Sequence, residues 1–201
     1  MKQTLTTIKE LLLNLDIDKL NMSLSDVHAP GLFSLVIGGG ESGTLKRIFI
    51  AHKDIKSYDV QLHTHRYPII LTHLKGYLRD HQAIHDENGR NKLNVFSYRS
   101  PLNGGKGLSY KCDMQFNITE YHLPVGTQIT MDTSQFHTVS CKAGAIWMVE
   151  ELGFKTKESK VLGVPFTIDG LYNKPEQFQI NDNVQTVLRQ VNWLLQQYQS
   201  V

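Results

Sequence analysis

The sequence contains a long succession of short apolar segments separated by turn residues, and this pattern restricts the folds open to the chain. From Leu32 onward the segments are rich in β-branched and aromatic residues, with Gly, Pro, Asn and Asp between them. They are LFSLVIG, TLKRIFIA, YDVQLHTH, PIILTHL, YLRDHQAIH, LNVFSY, MQFNITEYHL, TQITM, FHTVSC and AIWMVEE. Such runs are typical of β-strands, and no long helical segments alternate with them. The sequence therefore predicts an all-β sandwich or barrel rather than a parallel α/β sheet.

Helices are predicted at both ends of the chain. In residues 4–15 and again in residues 182–199, apolar side chains recur at the spacing of one helical face. The final helix either covers the sheet or forms part of a homodimer interface. Since 201 residues is the length of one domain, we expect a single domain over residues 1–201, with its core at about residues 32–152.

Composition argues against several classes of partner. The net charge is +2, and the Lys and Arg residues are scattered, which argues against a nucleic-acid-binding surface. No apolar run approaches the roughly 20 residues that cross a bilayer, so we expect no membrane insertion. The N-terminus lacks the pattern of a signal peptide, and the chain has 2 cysteines. We therefore expect a reduced, cytoplasmic protein.

Three histidines carry the clearest chemical signal. His63 and His65 form an HxH pair, and His137 follows about seventy residues later. In an extended strand, side chains two residues apart point to the same face, so the pair can reach into one space. Imidazole is a ligand for Zn, Cu, Fe and Ni. The alternative is that these are ordinary hydrogen-bonded histidines of a barrel wall.

The segment around the HxH pair resembles the first sequence motif of the cupin superfamily, in which a glycine, HxH, a glutamate and a second glycine follow one another. His63, His65 and Gly76 stand at their motif positions, while Ser57 replaces the first glycine. The glutamate position falls on Ile69, or on the next residue if the gap is one longer. The resemblance implies a cupin-like double-stranded β-helix, which is a jelly-roll barrel.

A second segment resembles the second cupin motif. Gly126 and His137 have the motif spacing, whereas Asp132, Ser134 and Cys141 stand where proline, glycine and asparagine are usual. The resemblance thus keeps three histidine ligands and lacks the carboxylate. It implies a divalent metal bound by neutral ligands with several open positions.

This ligand set is similar to that of cupins of the thiol dioxygenase type. The resemblance implies a mononuclear Fe(II) dioxygenase acting on a small thiol or small acidic metabolite, with Zn, Mn or Ni as other candidate metals. One alternative is a non-enzymatic cupin that encloses a small molecule. Another is an isomerase or epimerase of sugars. The fold does not choose among the three.

Three further residues are candidates for a catalytic role. Cys141 lies four residues after His137, so a regular strand would turn it to the same side. His73 shares strand parity with Ile69. Arg79 follows the first motif, and a guanidinium can bind a substrate carboxylate through two parallel hydrogen bonds. For Cys141 the alternative is a small buried hydrophobic residue.

Overall fold

A computed structural model describes residues 22–39, 44–100, 104–153 and 156–163, together with Trp193 and Gln196. The predicted helix at residues 4–15 lies outside the described residues. Of the predicted helix at residues 182–199, Trp193 and Gln196 are described, and both are helical. No helix in the described part of the chain is long and apolar enough to cross a membrane.

The described residues form ten β-strands in two antiparallel sheets. The strands are β1 (Leu32–Gly38), β2 (Lys46–Ala51), β3 (Ile69–Lys75), β4 (Leu78–His85), β5 (Asn91–Arg99), β6 (Gly107–Leu123), β7 (Gln128–Met131), β8 (Phe136–Cys141), β9 (Ile146–Glu151) and β10 (Ser159–Gly163). The first sheet has the order β1-β2-β9-β3-β7, and the second has the order β10-β5-β6-β4-β8. This architecture confirms the predicted all-β jelly roll.

Side-chain alternation along the strands builds a cavity between the sheets. On β9, Trp147, Val149 and Glu151 face the cavity, and on the paired strand β2, Arg47 and Phe49 do so. Successive residues of a strand point to opposite faces, which gives this two-residue period. The rings of Phe49 and Trp147 stack with their centroids 5.4 Å apart. One face of the first sheet thus forms part of the cavity wall.

Away from the cavity lining, the interior between the sheets is filled by apolar side chains. The core includes Leu78, Met131, Cys141 and Ala145, all at most 4% exposed. The backbone of Gly76 lies close to the core residue Ala145, since an added Cβ would be 2.8 Å from Ala145 Cα. The φ of Gly76 is 87°. Gly76 therefore occupies a position where both the backbone conformation and the space require glycine.

Candidate metal centre

The HxH pair lies on an extended segment that joins two strands of the second sheet. His63 N donates to His137 O of β8, and His137 N donates to His63 O, both at 2.9 Å. On the other edge of the segment, Thr64 N donates to Lys160 O of β10 at 2.8 Å. Because β8 and β10 are the two edges of that sheet, the segment closes the ring of hydrogen-bonded strands. The sequence predicted a strand at YDVQLHTH. In the structure this stretch is joined to β8 and β10 by isolated β-bridges at His63 and is not a regular strand.

The three predicted metal ligands converge at this junction. One ring nitrogen from each of His63, His65 and His137 lies within 4.8 Å of the other two. The Nε2 atoms of His65 and His137 are 2.7 Å apart. Metal–imidazole bonds are about 2.0–2.1 Å long for Zn²⁺, so three nitrogens at these separations can surround one ion. The donor set could therefore hold a divalent metal.

The Nδ1 atoms of two of these histidines are bound to hydrogen-bond acceptors. His63 Nδ1 donates to Gln61 O at 2.8 Å, and His137 Nδ1 donates to Asp80 Oδ1 at 2.8 Å. A neutral imidazole has a single N–H, so a proton kept on Nδ1 leaves the Nε2 lone pair available to a metal. Proteins commonly orient metal-binding histidines in this way. The hydrogen bonds thus fit the donor set to a metal.

Asp80 is a residue of the site that the sequence analysis missed. It is fully buried, and Gln82 Nε2 donates to its second carboxylate oxygen at 2.8 Å. Pairing of β4 with β8 sets Gln82 opposite His137 and Asp80 opposite Val139, which brings the carboxylate to the His137 ring. The strand around Asp80, LRDHQAIH, is largely polar, so its sequence does not mark this residue as part of a site. Its partner lies 57 residues away in sequence, so the contact itself required the sheet pairing.

Burial lowers the pKa of two of the three candidate ligands. The pKa of His63 lies well below its usual value because of burial first, and then because of the charges that His28 and His137 could carry. The pKa of His65 is likewise lowered well below its usual value by burial, followed by His137 and His63. A neutral imidazole is the form that binds a metal. At neutral pH protons therefore compete weakly with a metal at these two residues.

His28 is a second residue that the sequence analysis missed. Its ring stacks on that of His63, with a centroid separation of 5.0 Å and an interplanar angle of 26°. Its φ is 65°, a left-handed conformation that is uncommon for residues other than glycine. His28 is exposed and is among the cavity-lining residues. Desolvation of its ring lowers its pKa to about 4, and the charges of His137 and Arg47 act in the same direction.

The three histidines line a cavity of about 380 Å³. Much of its wall is apolar and includes Val60, Leu71, Trp147 and Val149. Ile69 also lines it, 1% exposed, at the position where the cupin motif has glutamate. The volume suits a small ligand, and the wall combines apolar side chains with a comparable number of polar ones.

The predicted catalytic role of Cys141 is not supported by its position. Val139 lines the cavity, but two residues further along β8 the Cys141 side chain lies in the core, 4% exposed. Its backbone pairs with Ile55 at 2.9 Å in both directions. Burial raises the pKa of the Cys141 thiol to about 12. The buried hydrophobic alternative therefore describes this residue.

The structure does not bring Arg79 or His73 to the cavity either. The Arg79 guanidinium forms an ion pair with Glu120, and both side chains are more than a third exposed. His73 is 1% exposed, and its ring nitrogens lie 2.7 Å from Leu123 O and 2.9 Å from Lys75 O. Strand parity placed His73 on the correct face of β3, but it lies beyond the cavity and bonds to the backbone.

Comparisons with known proteins give weak similarities. No family model matches the chain, and no curated protein matches it. The hydroxypropylphosphonic acid epoxidase from S. wedmorenis aligns with a TM-score of 0.37 and 10% identity, over 63% of this chain and 53% of that one. Hydroquinone 1,2-dioxygenase PnpCD, in complex with Cd²⁺ and 4-hydroxybenzonitrile, aligns with a TM-score of 0.34 and 11% identity, over 60% and 62%.

A third solved structure is also similar over a larger share of its length. Drosophila melanogaster CENP-C bound to CAL1 aligns with a TM-score of 0.34 and 10% identity, over 74% of this chain and 94% of that one. The chain spans less than two thirds of the epoxidase and dioxygenase chains, 53% and 62% respectively. Similarities at this level do not assign the chain to a family.

Proposed function

We propose that the protein is a cupin-type metalloenzyme in which His63, His65 and His137 bind one Fe(II) ion. The observation that carries the proposal is the convergence of three ring nitrogens within 4.8 Å, two of them freed for a metal by acceptors at Nδ1. Three neutral ligands leave the charge of the ion uncompensated and leave coordination positions open to substrate.

The proposed reaction is a dioxygenation of a small thiol or small acid. Addition of both atoms of dioxygen to a thiol gives a sulfinic acid, so atoms and electrons balance without an external reductant. Bound iron would supply the redox chemistry. The chain's own residues would position the substrate, and the apolar wall around Trp147 and Val149 would exclude water.

The first experiment measures metal content. Protein purified without a His tag should contain close to one iron per chain, or take up one equivalent of Fe(II) anaerobically. Single His→Ala substitutions at residues 63, 65 and 137 should each cut that content sharply without unfolding the barrel. His122→Ala is the matched control, because His122 is exposed and outside the cluster. Wild-type metal content in all three variants would overturn the site.

The orientation of His137 gives a second arm to this experiment. Asp80→Asn keeps the shape of the side chain but weakens the acceptor that holds the proton on His137 Nδ1. Loss of such a partner typically lowers metal affinity by roughly 10–100-fold. Metal titrations of Asp80→Asn against wild type measure this change.

The second experiment tests the reaction. Iron-loaded protein should consume dioxygen in the presence of a substrate, with cysteine and cysteamine first in a panel of thiols and small acids. Absence of oxygen uptake across the panel at full iron occupancy would overturn the dioxygenase proposal. A metal-free protein that binds small molecules in the cavity would instead support the non-enzymatic alternative.

A further inference from the structure

A second cluster of titratable side chains lies on the other face of the second sheet from Asp80. His81 follows Asp80 in β4 and therefore points to the opposite face. Strand pairing sets His81 opposite Glu120 of β6 and sets Arg79 opposite Ser140 of β8. Directly opposed residues have Cβ atoms about 4.5–5.5 Å apart. Three strands thus bring these four side chains together, apart from the three-histidine centre.

His81 joins a hydroxyl to a carboxylate within this cluster. Its Nε2 lies 2.8 Å from Ser140 Oγ, and its Nδ1 lies 3.5 Å from Glu120 Oε2. A neutral imidazole has a single N–H, and the neighbouring carboxylate favours the proton on Nδ1. Nε2 then accepts the hydrogen bond of the Ser140 hydroxyl. A hydroxyl, an imidazole and a carboxylate in this order activate serine as a nucleophile.

The imidazole is shielded from water, whereas its two partners can be reached. The His81 side chain is 9% exposed and that of Glu120 is 43% exposed, while Ser140 is half-buried. Burial lowers the pKa of His81, Glu120 and Asp80 act in the opposite direction, and Arg79 acts together with burial. His81 is therefore neutral at neutral pH, which is the form that can take a proton from a hydroxyl.

Arg79 contributes a buried donor beside the serine. Its Nη1 donates to Glu120 Oε1. Its Nε is buried, and no acceptor for that N–H lies among the described residues. Buried donors in proteins nearly always have a partner. Because Arg79 stands directly opposite Ser140, an oxyanion formed at a carbonyl carbon bonded to Ser140 Oγ would supply this acceptor.

Aromatic rings border the cluster and indicate the kind of substrate. The rings of Tyr77 and His122 lie with their centroids 5.1 Å apart, and the Arg79 guanidinium lies over the Tyr77 ring at 5.2 Å. His122 is also the β6 residue opposite Arg79. Flat rings bind other rings through offset or edge contacts. The surface beside Ser140 therefore suits an aromatic group.

We propose that Ser140, His81 and Glu120 form a second catalytic site that hydrolyses small aryl esters, an activity separate from the proposed metal centre. Ser140 Oγ attacks the ester carbonyl, His81 takes the hydroxyl proton, and Arg79 Nε donates to the oxyanion. The carbon–oxygen bond to the phenol breaks, and His81 returns the proton to the leaving oxygen. Water, deprotonated by His81, then releases the carboxylic acid and restores Ser140. Glu120 is a positioning residue, because it acts through His81.

The first test is covalent labelling of the full chain with an alkyl fluorophosphonate. Its phosphorus bonds to an activated serine oxygen while fluoride leaves. Peptide mass spectrometry should locate the adduct at Ser140, and Ser140→Ala should lose it. Ser109→Ala is the matched control, because Ser109 is an exposed serine at the other end of β6 from Glu120. Wild-type protein that remains unlabelled at Ser140 would overturn the proposal.

The second test is hydrolysis of 4-nitrophenyl acetate, measured with and without EDTA. His81→Gln keeps a polar side chain beside Ser140 but takes no proton, so the rate should fall about 100-fold or more. Arg79→Lys keeps the positive charge and removes the Nε–H. It should lower kcat by about 100-fold with little change in KM, since the donor acts on the transition state. Thermal melting of each variant shows whether the fold is retained.

The pH profile separates catalysis from a structural hydrogen-bond network. The rate should rise with pH as His81 loses its proton, with a midpoint below the usual histidine pKa because burial lowers it. Glu120→Gln should move this midpoint to lower pH, since Glu120 raises the pKa of His81. An unmoved midpoint would contradict the role of Glu120.

The remaining outcomes also decide the question. Hydrolysis that persists in Ser140→Ala and stops with EDTA would belong to the metal centre and would overturn the serine site. Hydrolysis that depends on Ser140 and is unaffected by EDTA supports the serine site, whatever the metal content. If Ser140→Ala does not fold, labelling of the wild-type protein and the rate of His81→Gln still provide the test.

Discussion

At the scale of single residues, the candidate site depends on which ring nitrogen carries a proton. Asp80 and the Gln61 carbonyl hold the Nδ1 protons of His137 and His63, which leaves the Nε2 lone pair of each ring available to a metal. Burial lowers the pKa of His63, which keeps its imidazole in the neutral, metal-binding form. Two acceptors and the surrounding apolar wall therefore prepare the donor set before any ligand arrives.

Ile69 offers a direct test of the carboxylate-free site. Ile69→Glu should point a carboxylate into the cavity, since Ile69 lines it. If the histidines hold a metal, the new anion becomes a fourth ligand, so metal should bind more tightly while turnover falls. Without metal the buried carboxylate should destabilise the fold by roughly 3 kcal/mol or take a raised pKa. Thermal melting with and without divalent metal measures both effects.

The control for that substitution is Ile70→Glu. Ile70 is the neighbouring residue of β3 and faces the opposite side of the sheet. Added metal should therefore rescue the stability of Ile69→Glu and not that of Ile70→Glu. Destabilisation of Ile69→Glu that metal leaves unchanged would argue that the histidines are not ligands.

The two cysteines should differ sharply in reactivity. Cys112 is exposed and Cys141 is buried, and burial raises the pKa of Cys141 to about 12. The thiolate is the reactive form, so alkylation at pH 8 should modify Cys112 and spare Cys141 until the protein is unfolded. Mass spectrometry of the labelled peptides measures this. Equal labelling rates in the folded protein would show that Cys141 is accessible.

At the scale of elements, the segment with the HxH pair both closes the second sheet and positions two of the candidate metal ligands. It is hydrogen-bonded to β8 through His63 and to β10 through Thr64. Thr64, between the two histidines, is buried, and its Oγ1 accepts a hydrogen bond from Lys160 N at 2.9 Å. The contacts that close the second sheet therefore also position the backbone of His63 and His65 relative to His137.

Thr64→Val tests this link between sheet closure and the site. The valine has a similar shape but leaves Lys160 N–H without its acceptor, which should lower the free energy of unfolding by about 1–2 kcal/mol. Metal affinity should fall as well, because the ligands flank the loosened position. Urea denaturation and metal titration are the measurements. Thr130→Val is the control, since Thr130 is exposed on β7; equal effects for the two variants would contradict the role of the segment.

At the scale of the whole molecule, the two sheets meet around one cavity whose wall combines residues from distant parts of the chain. Arg47 comes from β2, Ile69 from β3, His137 from β8 and Glu151 from β9. Most of the residue pairs in contact are long-range, as expected for a jelly roll. The single domain over residues 1–201 and the homodimer interface stay predictions.

The sequence by itself determined the class of fold and the candidate metal ligands. Short β-branched runs with turn residues specify antiparallel strands through local conformational preference and two-residue periodicity, and His63, His65 and His137 carry a recognisable spacing. These signals are local, so they can be read without coordinates. Strand periodicity correctly predicted that the side chains of Cys141 and His73 point into the protein. It could not show that they lie in the interior away from the cavity.

Only the tertiary structure decided which other residues join the histidines. Asp80 reaches His137 because β4 pairs with β8, His28 reaches His63 from a loop outside either motif, and Arg47 rather than Arg79 lines the cavity. Each of these contacts depends on strand pairing or register between segments far apart in sequence. A one-residue change of register turns a side chain to the opposite face, so such contacts follow from how the sheets assemble and not from any short stretch of sequence.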